Sequence, residues 1–167
     1  MNYEPAFNLL IDVEAGFTDD PRDNGNWTGG KRGVGQLKGT KYGISAASYP
    51  QLDIRNLTLA DAKAIYLRDF WNKLRLDQLP ECVRFDIFDA AVNSGTYQAA
   101  KFLQRAAGVE ADGLIGPVTI KAANAIEPEQ LDSRISGFRL LFICDLRTFP
   151  DFGKGWARRI ANNLILD

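Results

Sequence analysis

The segment LLIDVEAGFTDDPRDNG, residues 9–25, marks the point where a helix gives way to an acidic loop. Apolar residues before and within this segment recur at the spacing of one helix face, which predicts a helix over residues 4–15 that stops at Gly16. The last turn of this helix carries Glu14, and the loop behind it carries three more acids. They are Asp19, Asp20 and Asp23.

Glu14 stands where a carboxyl group is prepared to donate a proton. The negative end of the helix macrodipole favours the protonated form, and partial burial would raise the pKa in the same direction. General-acid cleavage of a glycosidic bond needs such a group, because the leaving oxygen must be protonated as an oxocarbenium-like centre develops. Taken alone, the residue is more simply explained as a solvated glutamate at a helix end.

Asp20 and Asp23 are candidates for a second carboxylate. The loop can turn either of them across a cleft towards Glu14, where a carboxylate would stabilise a sugar cation, activate a water molecule or act as nucleophile, depending on its separation from the acid. The alternative is structural, since the sequence DDPRDNG is also good turn chemistry.

The remainder of the chain predicts a mainly α protein of the α+β lysozyme-like type. Residues 16–43 form a turn-rich stretch, with a short hairpin expected around NWTGGKRGVG, so this part is expected to be a small loop-rich or β-hairpin lobe beside a helical body. Helical spacing and punctuation recur in the rest of the sequence. The expected helices cover residues 58–74, 80–95, 96–108, 116–126, 128–148 and 154–166.

Composition narrows the function classes. The chain has 167 residues and a net charge of −1, which gives no electrostatic reason to expect a nucleic-acid partner. It contains no histidine, so Ser-His-Asp and Cys-His nucleophiles and histidine-ligated metal sites are excluded. No metal or cofactor is implied. We also expect no secretory signal, no transmembrane segment and no stable membrane insertion.

Several blocks resemble glycoside hydrolase family 108 lysozymes. EAGFTDDPRDNG and GTKYGIS are similar to the opening of that family, and later blocks such as FDIFDAAVNSG and AAKFLQRAAGVEADGLIGPVTIKA are similar to its predicted peptidoglycan-binding region. The likeness follows the order of the chain. It implies an N-acetylmuramidase with a lysozyme-like helical fold, in which residues 1–167 form one domain, with a catalytic part at 1–80 and a helical peptidoglycan-binding-like part at 81–167.

The resemblance assigns roles to particular residues. Glu14 takes the position of the catalytic glutamate, Thr40 matches a threonine that helps to place water, and Asp20 matches an aspartate followed by proline. The sequence departs from the family pattern in its Ala-Gly-Phe after the glutamate, in a final serine where threonine is usual, and in a lengthened loop at 24–39. The lengthened loop leaves the partner of Glu14 open, with Asp23 as the alternative to Asp20.

Two further residues are candidates for substrate binding. Trp27 offers an aromatic face on which a sugar ring can stack, or else it fills the small lobe. Asn93 either hydrogen-bonds a substrate acetamido group or caps the turn before Gly95. In the C-terminal segment, Trp156, Ile160 and Leu164 recur at helical spacing, which favours a packed helix.

These observations predict an endolysin that cleaves the β-1,4 bond between N-acetylmuramic acid and N-acetylglucosamine in bacterial peptidoglycan. We expect a monomer of phage or prophage origin, held in the host cytoplasm before lysis and acting on the wall in the periplasm after a holin gives access. Two alternatives remain open. One is a lytic transglycosylase that gives 1,6-anhydro products, and the other is a non-catalytic wall-binding or phage structural module.

Overall fold

The computed structural model describes residues 1–14 and 16–166, and the side chains of all of these except residues 12–14 and 166. This part of the chain contains seven α-helices and a small antiparallel sheet of three strands. The helices are α1 (Tyr3–Glu14), α2 (Leu59–Tyr66), α3 (Glu81–Ser94), α4 (Thr96–Ala107), α5 (Pro117–Asn124), α6 (Pro128–Cys144) and α7 (Phe149–Leu166). The mainly α class with a small β lobe is therefore confirmed.

The chain divides into two compact units. One, the lobe unit, comprises residues 4–67, and the other, the helical unit, comprises residues 1–3 and 68–167. A π-helical turn, Leu67–Asn72, follows α2 directly. None of the described helices combines the length and apolar character that a bilayer-crossing segment needs.

The sheet of the lobe unit is built from very short strands, β1 (Phe17–Thr18), β2 (Thr40–Lys41) and β3 (Ile44–Ser45). Their order is β1-β2-β3, and β2 pairs antiparallel with both neighbours. Tyr42 and Gly43 form the two-residue turn between β2 and β3, with φ values of 52° and 71°. Two positive φ angles are what a tight hairpin of this type requires, and glycine meets that requirement without strain.

The loop at 24–39 contains the hairpin that the sequence predicts. Trp27 and Leu37 form an antiparallel bridge, and the Thr28 amide donates to the carbonyl oxygen of Gln36 at 2.9 Å. The Gln36 amide donates in turn to the Thr28 hydroxyl oxygen at 2.9 Å. The loop at 24–39 therefore has its own hydrogen-bonded structure, and the bridge between Trp27 and Leu37 holds its two sides together.

The helical unit confirms most of the expected helices, and two boundaries differ. Helix α6 ends at Cys144, four residues before the predicted end, and α7 begins at Phe149 instead of residue 154. Pro150 was expected to lie outside a helix. It lies in the first turn of α7, where a missing backbone N–H costs nothing because such groups have no intrahelical acceptor. Ile160 of α7 is buried, as its spacing predicts, whereas Leu164 is 43% exposed and does not belong to the packed face.

A buried charge cluster joins three helices of this unit. Arg139 of α6 donates to the carboxylates of Asp86 and Asp89 of α3, at 2.6 and 2.5 Å. Arg159 of α7 donates to Asp89 at 2.7 Å, and the Asn163 amide donates to Asp89 at 3.0 Å. Because both carboxylates are at most 2% exposed, the cluster is stable only while its opposite charges remain together.

Replacing Arg139 with methionine should destabilise the protein by roughly 3–5 kcal/mol, since it leaves two buried carboxylates with less compensating charge. Urea unfolding followed by near-ultraviolet circular dichroism measures this loss. Arg147→Met is the matched control, because Arg147 is exposed, and its effect should stay within about 0.5 kcal/mol. Equal stability of the two variants would show that the cluster contributes little.

Candidate active site

The sequence places its candidate acid at the end of α1. Helix α1 ends at Glu14, so the backbone position agrees with the prediction that this residue occupies the last helical turn. The Glu14 side chain lies outside the described residues, and so does Ala15. The following strand β1 begins at Phe17, whose ring lies 4.5 Å from the guanidinium carbon of Arg55.

Asp20 is held by a neighbouring arginine. Both carboxylate oxygens accept hydrogen bonds from the Arg22 guanidinium, at 2.7 to 3.1 Å, and the Arg22 backbone amide donates to the same carboxylate at 2.9 Å. These interactions with Arg22, side chain first, lower the pKa of Asp20 from 3.8 to about 2. Asp20 is therefore an anion throughout the ordinary pH range and unsuited to donating a proton.

Asp23 has a different local role. Its Oδ1 accepts a hydrogen bond from the Gly25 amide at 2.8 Å, which caps the short 3-10 helix Asn24–Asn26. The turn interpretation of the DDPRDNG segment is thus visible in its backbone. Among the described residues, none donates a hydrogen bond to the other carboxylate oxygen of Asp23, so that oxygen is available to a ligand or to water.

Asn26 connects the acidic loop to Thr40. It is fully buried, its amide nitrogen donates to the Asp20 carbonyl oxygen at 3.0 Å, and its amide oxygen accepts from the Thr40 hydroxyl at 2.8 Å. Its backbone amide donates to the carbonyl oxygen of Asp23 at 3.3 Å. Asn26 therefore links the backbone carbonyls of Asp20 and Asp23 to the side chain of Thr40.

The orientation of the Thr40 hydroxyl follows from this contact. Because its proton is given to Asn26, the oxygen retains its lone pairs for an incoming donor such as water. Thr40 lies in β2 opposite Thr18 of β1, and the preceding Gly39 approaches that strand closely. A Cβ atom at Gly39 would lie only 2.5 Å from the Thr18 carbonyl oxygen, so glycine is required beside Thr40.

Trp27 is tied to the same loop. Its indole N–H donates to the carbonyl oxygen of Pro21 at 3.0 Å, and the residue is half-buried. This contact fastens the hairpin to the acidic turn and corresponds to the structural alternative for Trp27. Stacking of a sugar on its ring remains a prediction.

Asn93 belongs to the helical unit and stands near the end of α3. Its amide nitrogen donates to the Asp89 carbonyl oxygen at 2.8 Å and to the Asp89 carboxylate at 3.3 Å. The contact is to the preceding helical turn, and Gly95 ends the helix with a φ of 85°. The amide oxygen of Asn93 keeps its capacity to accept a hydrogen bond.

Asn26 and Arg22 were not among the residues selected from the sequence. Arg22 stands two residues from Asp20 in a turn, so its pairing was within reach of local reasoning. Asn26 gives no comparable signal, because an asparagine in a glycine-rich loop is ordinarily solvated. Its importance depends on burial and on contact with a strand 14 residues later.

The lobe unit thus offers a permanent anion, a second carboxylate with one available oxygen, and a hydroxyl that can accept a hydrogen bond. Asp20 and Asp23 follow closely on the helix that ends at Glu14, and Thr40 lies in β2, which pairs with the strand directly after that helix. Carboxylates and a water-accepting hydroxyl are the groups that glycoside hydrolysis uses, and none of them requires a metal ion.

Comparison with known proteins gives matches along most of the chain. The family model described as glycosyl hydrolase 108 matches residues 7–95, and the one described as predicted peptidoglycan domain matches residues 98–161. Among solved structures, SagA of Brucella abortus is 30% identical, with a TM-score of 0.80, and the alignment covers 96% of this chain and 90% of that one. A comparison with curated proteins gave no match.

Replacing Arg22 with glutamine should raise the pKa of Asp20 from about 2 towards the ordinary 3.8, because the strongest hydrogen bonds to its carboxylate are lost. Carboxyl carbon chemical shifts, followed by NMR between about pH 1.5 and 6, measure the change. A carboxyl group whose pKa is lower in the folded than in the unfolded state stabilises the protein at pH values above the unfolded-state pKa. That stabilisation is lost as the pH falls through the folded-state pKa. Because Arg22→Gln lacks this stabilisation, its acid unfolding should occur at a higher pH than that of the wild type.

Arg32→Gln is the control for this titration. Arg32 acts on Asp20 only through the last and weakest of the contributions that lower its pKa. The Asp20 titration should therefore stay near its original position in Arg32→Gln. If the two substitutions shift it equally, the Arg22 ion pair is not the cause of the low pKa.

Proposed function

Because the chain belongs to the glycosyl hydrolase 108 family and is a lysozyme-type glycoside hydrolase, we propose that it cleaves the β-1,4 bond between N-acetylmuramic acid and N-acetylglucosamine. Peptidoglycan is the polymer on which such a chain acts, since the predicted peptidoglycan domain occupies most of its C-terminal half. The observation that carries the proposed chemistry is the Asn26 contact to Thr40, which leaves the hydroxyl oxygen able to accept a hydrogen bond from water.

In the proposed reaction Glu14 is the general acid. It protonates the glycosidic oxygen as the bond to the sugar breaks, and positive charge develops on the ring carbon and oxygen. Two features support this role. A helix C-terminus favours a protonated carboxyl group, and the histidine-free sequence leaves carboxylates as the commonest acids for this chemistry.

The second carboxylate is assigned to Asp20, with Asp23 as the alternative. Asp20 is ionised, which suits electrostatic stabilisation of the sugar cation, and its pairing with Arg22 makes it a poor nucleophile or base. Asp23 retains an available oxygen and is the better of the two for taking a proton from water. Thr40 orients that water through its oxygen lone pairs, and no metal or cofactor takes part.

The biological setting is proposed to be lysis by a phage or prophage. In this proposal the chain acts as a monomer, accumulates in the host cytoplasm and reaches the periplasmic face of the wall with the help of a holin. The two-part arrangement of residues 1–80 as catalytic and 81–167 as wall-binding is retained as part of the proposal. Trp27 and Asn93 remain proposed contacts to the glycan.

Glu14→Gln should reduce wall hydrolysis by roughly 10²–10⁴-fold, because an amide cannot supply the proton that the leaving oxygen needs. Mass spectrometry of muropeptides released from purified peptidoglycan measures both the rate and the product. The wild type should release fragments with reducing N-acetylmuramic acid ends. Asp53→Asn is a suitable control, since Asp53 is exposed and bonded locally to Asn56.

Other products would change the assignment. Fragments ending in 1,6-anhydro-muramic acid would make the protein a lytic transglycosylase, in which the sugar's own C6 hydroxyl attacks. Binding of the wild type to sacculi without release of any fragment would indicate a wall-binding module. Full activity in Glu14→Gln would exclude Glu14 as the acid.

Thr40→Val should lower the turnover number by roughly tenfold, equivalent to about 1.4 kcal/mol of transition-state stabilisation, while leaving substrate affinity nearly unchanged. Thr40→Ser keeps the hydroxyl and should keep most of the activity. Thr18→Val, at the paired position of β1, is the control for a changed sheet. Urea unfolding of each variant separates lost catalysis from lost folding, and an unchanged turnover number in Thr40→Val would contradict the role in placing water.

A further inference from the structure

The helical unit contains a cavity that the proposed catalytic residues do not use. Its volume is about 230 Å³, and its wall is formed by α4, α6, α7 and the end of α3. Eight of its ten lining residues fall within the segment that matches the predicted peptidoglycan domain. The apolar part of the wall is formed by Phe102, Phe142, Ile143, Leu146 and Ile160.

The charged residues at this wall compensate one another. Arg139 and Arg159 both line the cavity, and both bind buried aspartates of α3 through hydrogen bonds of 2.5 to 2.7 Å. Two cations thus stand against Asp86 and Asp89. A charged ligand group would lose its hydration here and would find no opposite charge that is not already paired. The cavity therefore favours a neutral ligand.

The polar groups at the wall include both hydrogen-bond donors and a hydrogen-bond acceptor. The Asn93 amide nitrogen donates to Asp89, and within the described part of the chain no group donates to its amide oxygen, which can therefore accept a hydrogen bond from a ligand. Trp156 lines the same cavity, and its indole N–H has no acceptor among the described residues. Ser94 adds a hydroxyl group that can donate or accept. A fitting ligand therefore carries at least one donor and one acceptor close to an apolar group.

We propose that this cavity binds the N-acetylglucosamine unit of the glycan strand. The acetamido group has an N–H for Asn93, a carbonyl oxygen for Trp156 or Ser94, and a methyl group for the apolar wall. The apolar face of a sugar ring suits the Trp156 indole. The volume lies below the ~300–1,000 Å³ of sites for whole small molecules, which fits a ligand inserted only in part. This assignment rests on the proposed function, in which peptidoglycan is the substrate. It adds a contact between the glycan and the helical unit.

The three tryptophans make the proposal testable in the intact chain. Trp156 reports on the cavity, Trp27 reports on the candidate active site, and the fully buried Trp71 serves as an internal reference. Each indole N–H gives its own NMR signal, assigned by single Trp→Phe substitutions. The Glu14→Gln chain is titrated with N-acetylglucosamine trisaccharide, and separately with a sugar-free stem peptide.

The trisaccharide should shift the Trp156 signal in a saturable manner, and Trp71 should stay unchanged. Trp156→Ala and the occluding substitution Leu146→Trp should each weaken this binding roughly tenfold or more. For Trp156→Ala the remaining cavity signals, such as the Ser94 backbone amide, report the binding. Leu141→Ala is the control, because Leu141 lies on the same helix as Arg139, is 64% exposed and does not line the cavity.

The outcomes separate this inference from the proposed function. A shift of Trp27 alone, or a shift of Trp156 by the stem peptide and not by the sugar, overturns the assignment of the cavity while the hydrolase mechanism stands. If the sugar shifts Trp156 yet Glu14→Gln hydrolyses the wall at the full rate, the cavity assignment holds and the proposed acid is wrong. Unchanged affinity for the trisaccharide in both Trp156→Ala and Leu146→Trp also overturns the assignment of the cavity.

Discussion

A single buried asparagine side chain sets the arrangement of the acidic loop. Asn26 has no access to solvent, so its amide must be satisfied internally, and it is satisfied by the Asp20 carbonyl oxygen and the Thr40 hydroxyl. These two hydrogen bonds join the turn at Asp20 to β2 at Thr40, and no long strand pairing holds these two segments together. The sheet beside them has only two residues in each strand, so side-chain contacts must supply the order that a longer ladder would otherwise provide.

The helices were predictable from sequence because their signals are local. Apolar spacing and prolines at helix starts act within a few residues, and so does the capping box that Thr58 and Asp61 form at the start of α2. The errors also have local causes. Pro150 marks either the end of one helix or the first turn of the next, and the sequence favours the first interpretation where the second is correct.

The candidate site was less accessible to such reasoning. The acidic loop, the threonine and the hairpin were recognisable by residue type, and the ion pair of Asp20 with Arg22 spans only two positions. The contact of Asn26 with Thr40 depends on how the hairpin at 24–39 folds back, and no periodicity encodes that path. The partners of Asp86 and Asp89 were hidden for the same reason, since they come from helices 50 to 77 residues away.

The charge cluster of the helical unit has a consequence for synthesis of the chain. Asp89 is synthesised 50 residues before Arg139, and Arg159 and Asn163 follow 70 and 74 residues after it. Until they arrive, burying the two aspartates would leave carboxylate charge without its full set of partners, which opposes compaction of α3 against α6. Folding of this unit is therefore coupled to the synthesis of α7, and a chain that stops before Arg159 lacks the last charge of the buried cluster.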